Sequence, residues 1–128
     1  RLTSRGFGTI GGVDILEVDA PCIVVGHVWF LRVKDRDFMS PRYLLHYLRS
    51  GFGQMQMERY TVGSTGQTEL NRDDVKRILV IYPKRNADQE ELAEVGHSLE
   101  LQALSARTQY VEKLALAKKS FAQSLGLG

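Results

Sequence analysis

The chain has 128 residues and a formal net charge of +2, from 17 Lys+Arg against 15 Asp+Glu. That length suits one compact domain rather than two well-built ones, and 43% hydrophobic with 25% charged residues excludes disorder as the overall state. No apolar run nears the roughly 18–20 residues that cross a bilayer, and Arg1-Leu2-Thr3-Ser4-Arg5-Gly6 lacks the apolar core of a signal peptide, so no membrane partner is expected.

Arg1 reads as the interior of a strand rather than a natural beginning, so the chain is expected to be an artificially excised segment or a fragment of a longer protein. Gly6, Gly8, Gly11 and Gly12 punctuate two short strands, near residues 1–5 and 12–18. After a turn at Asp19-Ala20-Pro21, the β-branched run Cys22 to Val33 predicts a long, largely buried strand. Gly26 in its middle suggests a bulge. Ser40 as N-cap and Pro41 at the first helical position open a helix with Leu44, Leu45 and Leu48 on one side and Tyr43 and Tyr47 beside them. Gly51 reads as the C-terminal stop of that helix, and residues 54–60 as a second short one. A glycine-rich loop covers 61–67. Asn71 with Asp74 resembles a capping pair for one or two helical turns over 72–77. Ile78-Leu79-Val80-Ile81-Tyr82 reads as a strand that Pro83 ends.

From Asn86 onward a single long helix is expected, with Asn86 as cap and Gln89 at the matching third position. Asp88, Glu90, Glu91 and Glu94 crowd its start, while Arg107, Lys113, Lys118 and Lys119 come later, an order that complements the helix dipole. Leu92, Val95, Leu99, Ala103, Ala106, Tyr110, Leu114, Ala117 and Phe121 recur at spacings of three and four. They form one apolar stripe about 45 Å long. The repeat is close to 3.67 residues per turn, so a supercoil is weak or right-handed. Propensity alone does not hold so long a helix, and its stripe calls for a partner helix.

The residues therefore predict an α+β fold. A small mixed sheet with short helices occupies 1–85, followed by a long coiled-coil-like spacer or dimerisation helix over 86–125. The basic excess lies in the first section, with 13 Lys+Arg against 9 Asp+Glu in residues 1–85 and 4 against 6 thereafter. That is compatible with phosphate contacts.

Catalytic and metal chemistry find little footing. Cys22 is the only cysteine, which excludes an internal disulfide and a CxxC knuckle. His27, His46 and His97 lie about 20 and 50 residues apart, without metal-ligand spacing. Arg5 to Gly12 is glycine-rich but opens no helix, so it is no dinucleotide site. No methyltransferase tetrad and no nucleophile–base set stands out. No catalytic residue, metal site or cofactor is assigned to this chain.

Five segments in order resemble the target-recognition domain of type I restriction–modification specificity subunits. They are Ser4 to Gly11, resembling an R-x-G-x-x-G turn; Cys22 to Val28, leading into Leu31-Arg32; Ser40 to Ser50, similar to a P-x-Y-L-x-x-Y-L helix; Gly63-Ser64-Thr65-Gly66-Gln67 with Leu70, similar to a G-S/T-T-x-Q-x-x-L loop; and Ile78 to Pro83 followed by Gln89-Glu90-Glu91-Leu92, similar to a strand–Pro–E-Q-x-x-I helix start. The family has a further strand-rich stretch before the first of these, and two recognition domains with two long helices. The chain thus corresponds to part of a full subunit, of a half-length specificity protein, or of a version fused to an adenine methyltransferase.

The resemblance implies a non-catalytic module that reads a half-site of double-stranded DNA. Its long helix pairs with a second recognition domain or a second copy and docks an adenine methyltransferase subunit, which carries the S-adenosylmethionine. The implied setting is the prokaryotic cytoplasm. Ser4, Arg5, Thr9, Arg32, Lys34, Arg59, Ser64, Thr65 and Gln67 are the candidate DNA-binding residues: the cations suit phosphates, and the hydroxyl and amide groups suit backbone or base-edge hydrogen bonds. The competing reading is a protein-interaction module that assembles partners through the helix without touching DNA.

Overall fold

The computed structural model describes residues 2–3, 11–17, 20–21, 23, 26, 28–61 and 69–125. In chain order they form β1 (Leu2–Thr3), β2 (Val28–Trp29), α1 (Pro41–Arg49), α2 (Gly51–Tyr60), α3 (Arg72–Val75) and α4 (Asn86–Ser124). They fall into two compact units, Arg1–Ala93 and Glu94–Gly128.

The small mixed sheet expected from the sequence is not what forms. About 60% of the described residues are helical. Among the described residues, the named strands are the antiparallel pair β1 and β2, in the register Leu2↔Trp29 and Thr3↔Val28, with isolated bridge positions such as that from Leu2 to Val13. Of the long strand expected over 22–33, only Val28–Trp29 is strand among the described residues. The segment Ile78–Tyr82 is not strand either.

Side chains take the place of a neighbouring strand there. The Tyr43 hydroxyl donates to Ile81 O at 2.6 Å and the Tyr47 hydroxyl to Leu79 O at 3.0 Å. The Gln56 amide pairs with both backbone groups of Leu79, donating from Nε2 to its carbonyl at 3.0 Å and accepting from its N–H at 2.8 Å. Backbone polar groups need partners wherever they are packed. Here helices supply them, so β-branched sequence lies extended without a ladder. Gln54 does the same for Gly11, donating to its carbonyl at 3.1 Å, and Arg49 Nε donates to Val13 O at 3.0 Å.

The first unit is built on the corner between α1 and α2. Ser40 caps α1 as expected, its hydroxyl accepting from Tyr43 N at 3.1 Å, with Pro41 in the first turn. Gly51, expected to stop this helix, instead begins α2. Ser50 serves both helices. Its backbone N–H closes α1 onto His46 O, while its hydroxyl donates to Tyr47 O at 2.6 Å and accepts from Gly53 N at 3.4 Å. The corner is sharp because Gly53 has no side chain. A Cβ there would meet Tyr47 O at 2.5 Å and Leu48 Cα at 2.6 Å.

Leu2, Leu48, Met57 and Leu70 form the buried cluster, with Val13, Trp29, Leu44, Tyr47, Tyr60, Val75 and Ile78 packed against it. Each fully buried side chain of this kind contributes about 1.5–3 kcal/mol of transfer free energy. The indole N–H of Trp29 donates to Leu70 O at 2.9 Å, which joins β2 to the segment before α3. The α3 turn is shorter than the expected 72–77, and Asn71 makes no side-chain cap bond there.

The long helix expected from the sequence is present as α4, 39 residues from Asn86 to Ser124. Its start differs from the expected capping box. Asn86 is the first helical residue, and its side chain donates to Arg36 O at 2.7 Å. Gln89 turns away from the helix backbone. It is fully buried, with Nε2 donating to Phe38 O at 3.0 Å and Pro83 O at 2.8 Å, and Oε1 accepting from Ser40 N at 2.8 Å. No helix of the structure, among the described residues, is long and apolar enough to cross a membrane.

Candidate nucleic-acid interface

The segment between β2 and α1 carries three cations at alternate positions. Arg32, Lys34 and Arg36 alternate along it and are all exposed. The chain then turns over Asp35–Met39. The Asp35 carboxylate accepts from Asp37 N at 2.9 Å and Phe38 N at 3.2 Å, and Met39 N donates to Asp35 O at 3.1 Å.

Two clefts flank this segment. The larger, about 1260 Å³, is lined by Arg32, Arg36 and Arg42, by the carboxylates Asp14, Glu17 and Glu90, and by apolar residues that include Leu44 and Leu48. The smaller, about 490 Å³, runs between Phe30–Asp35 and the stretch containing Val75, Ile78 and Val80. Neighbouring cations are already engaged. Arg42 faces Glu90 at 4.0 Å, and Arg49 meets Asp14 at 3.5 Å. Elsewhere in the unit Lys76 pairs with Asp73, Arg77 with Asp74 and Arg85 with Asp88. Arg32, Lys34 and Arg36 make no ion pair among the described residues, so their charge is available to an anion.

Of the candidate DNA-binding residues, Arg32 and Lys34 are both exposed on this strap of chain and both line the smaller cleft. Arg59 is exposed on the last turn of α2 and lines neither cleft. Ser4, Arg5, Thr9, Ser64, Thr65 and Gln67 lie outside the described residues. Sequence reasoning passed over Arg36, although its place two residues after Lys34 continues the alternation.

Tyr43 and Tyr47, expected beside the leucines of α1, are half-buried, and their hydroxyls hold the 79–81 backbone. Burial, with a smaller contribution from the neighbouring Tyr47, raises the Tyr43 phenol above its ordinary 10.0. The group therefore stays protonated and keeps its donor role at any physiological pH.

In the second unit, Val95, Leu99, Ala103, Ala106, Tyr110, Leu114, Ala117 and Phe121 are all exposed; Leu92, earlier on α4, is exposed too. Leu101, Leu104, Val111 and Leu116 lie off that stripe and are also exposed. Apolar surface therefore occupies more than one face of α4, broader than a coiled-coil seam. Comparison with protein-family models, with curated proteins and with solved structures gave no match.

Proposed function

We propose that the chain is a non-catalytic, sequence-specific DNA-binding specificity module of a restriction–modification system. It reads a half-site of double-stranded DNA and docks an adenine methyltransferase subunit, which binds S-adenosylmethionine and methylates the adenine after extruding it from the duplex. Arg5, Arg32, Lys34 and Arg59 neutralise phosphates, with Ser4, Thr9, Ser64, Thr65 and Gln67 as further contacts. The helix stripe from Leu92 to Phe121 pairs with a second recognition domain or a second copy. The setting is the cytoplasm of a prokaryote.

One observation carries this reading. Two of the segments that resemble the specificity-subunit family, Ser40–Ser50 and Ile78–Leu92, are bonded to each other by the side chains the resemblance singles out. Tyr43 and Tyr47 of the first bind the backbone of the second, and Gln89 of the second binds Ser40 of the first. Residues that match a family pattern at separate sites in the sequence here do one joint job, which supports treating the ordered matches as meaningful. The unpaired cations Arg32, Lys34 and Arg36 supply the electrostatic part.

The decisive experiment is reconstitution of the full-length protein with its methyltransferase partner on duplexes of varied sequence. The reading expects a stable complex and methylation of adenine in one sequence context. Absence of both a complex and methylated adenine in every context sinks it. A second reading, an assembly module that never touches DNA, is favoured by the breadth of exposed apolar surface on α4. Salt-dependent duplex binding separates the two, because phosphate contacts give a steep salt slope and helix pairing does not.

A further inference from the structure

The strap that presents Lys34 and Arg36 outward is tied inward to the first turn of α4 at alternate residues. Asn86 Nδ2 donates to Arg36 O at 2.7 Å, Gln89 Nε2 to Phe38 O at 3.0 Å, and Gln89 Oε1 accepts from Ser40 N at 2.8 Å. Asn86 and Gln89 are three residues apart and share a helix face. The third bond of the Gln89 amide, to Pro83 O at 2.8 Å, reaches the segment that leads into the helix. Gln89 is wholly buried, where each such bond is electrostatically stronger than in water and an unpaired group is costly.

The first turn itself is loosely held by backbone. The N–H groups of Asp88 and Gln89 both reach for Arg85 O, at 3.2 and 3.3 Å. First turns lack intrahelical partners for their N–H groups and open readily unless something outside fixes them. Here the outside fixture is the strap, and the strap's exposed face is cationic.

We propose that Asn86 and Gln89 couple the cationic strap to the root of α4, so that a phosphate bound at Lys34 and Arg36 orders the first turn of the helix. The inference rests on the DNA-binding reading above and adds a regulation to it. A bound phosphate restricts the backbone of 34–40. The acceptors at Arg36 and Phe38 and the donor at Ser40 then stay fixed, and the two amide side chains hold the turn closed. Ordering alone carries such a coupling, with no displacement required. The coupling is reciprocal: whatever orders the first turn of α4 tightens phosphate binding at the strap.

Hydrogen exchange on the full chain, with and without a short mixed-sequence DNA duplex at low salt, tests the idea in wild type, Gln89→Leu and Asn86→Ala. In wild type, DNA slows exchange several-fold both at 34–40 and at 87–92. In each variant the slowing at 34–40 persists and that at 87–92 disappears. If DNA protects 34–40 of the wild type but leaves 87–92 unchanged, or if both variants still transmit protection, the coupling is overturned while the DNA reading stands. If no salt-dependent protection appears anywhere, both fall. Asn86→Ala removes one bond from a half-buried side chain, so it keeps the test decisive should Gln89→Leu fail to fold.

Discussion

Tyr47 donates its hydroxyl to the carbonyl of Leu79 at 3.0 Å, across 32 residues of chain. With Tyr43 one helical turn earlier bound to Ile81 O, α1 grips an extended segment at two alternate carbonyls. The spacing works because residues four apart stack on a helix face and residues two apart face the same way in extended chain. Tyr47→Phe keeps the ring and loses the grip. It is expected to cost about 0.5–1.5 kcal/mol in chemical unfolding. Amide exchange over 78–82 should rise as well, and unchanged exchange there would show that the Tyr47 hydroxyl does not hold the segment, leaving that role to Tyr43 and Gln56.

Gln89→Leu keeps the volume of the side chain and removes three hydrogen bonds from a buried site. Ser40 N, Phe38 O and Pro83 O are left seeking partners, so the expected loss is about 2–4 kcal/mol. Denaturant midpoints measure it. A loss below 1 kcal/mol, on the order of a surface substitution, would mean that water replaces the amide at no cost.

Gly53→Ala forces a methyl group against backbone atoms of Tyr47 and Leu48 that a side-chain rotation cannot clear. Opening the corner between α1 and α2 is expected to cost about 1–3 kcal/mol, the range for overpacking. Gly51→Ala, with open space around its Cβ, is the control and should be stable. Thermal melts that rank the two variants equally would contradict the role given to Gly53.

Acid should weaken the first unit through two exposed pairs. Asp88 is held below its ordinary 3.8 chiefly by its hydrogen bond from Arg85, and Asp73 chiefly by that from Lys76. A depressed carboxyl stabilises the fold above its unfolded value, and the contribution fades as pH falls through the lower folded one. Loss therefore begins near pH 4 and continues below it, and added salt blunts it because both pairs face water. Asp88→Asn with Asp73→Asn should flatten the acid limb of a stability–pH curve. An unchanged limb would assign acid sensitivity to other carboxyls.

Arg32→Ala and Lys34→Ala are each expected to lower the slope of log affinity against log salt by about 0.9 on duplex DNA, one released counterion apiece. The loss should be the same for every DNA sequence, as befits a phosphate contact. Equilibrium titrations at several salt concentrations read both. A loss confined to one sequence would recast the residue as a base reader.

The helices were legible in sequence because their signals are local. Ser40-Pro41 opens α1 where its side-chain chemistry says it should, and the three–four spacing from Leu92 to Phe121 lies on one continuous helix. The strands misled because β-branched runs report a preference for extended backbone, not the presence of a neighbour. Ile78–Tyr82 is extended-type sequence whose partners are Tyr43, Tyr47 and Gln56, side chains that no alternation pattern announces. Gln89 failed for a related reason. Three residues after Asn86 it has the look of a cap, while its partner Ser40 lies 49 residues away. Of the site, the cations Arg32 and Lys34 were readable, while the exposure of Arg32 within a run expected to be largely buried, and the freedom of both from ion pairs among the described residues, were not.

The leucines of α4 carry a cellular consequence. An unassembled copy shows Leu99, Leu101, Leu104 and Leu116 to solvent along one rod, the kind of surface that chaperones and proteases patrol. On the proposed reading, in which α4 pairs with a partner helix, a lone copy is short-lived and its abundance follows the supply of that partner. Stoichiometry would be enforced by turnover, with no dedicated regulator needed to keep the numbers matched.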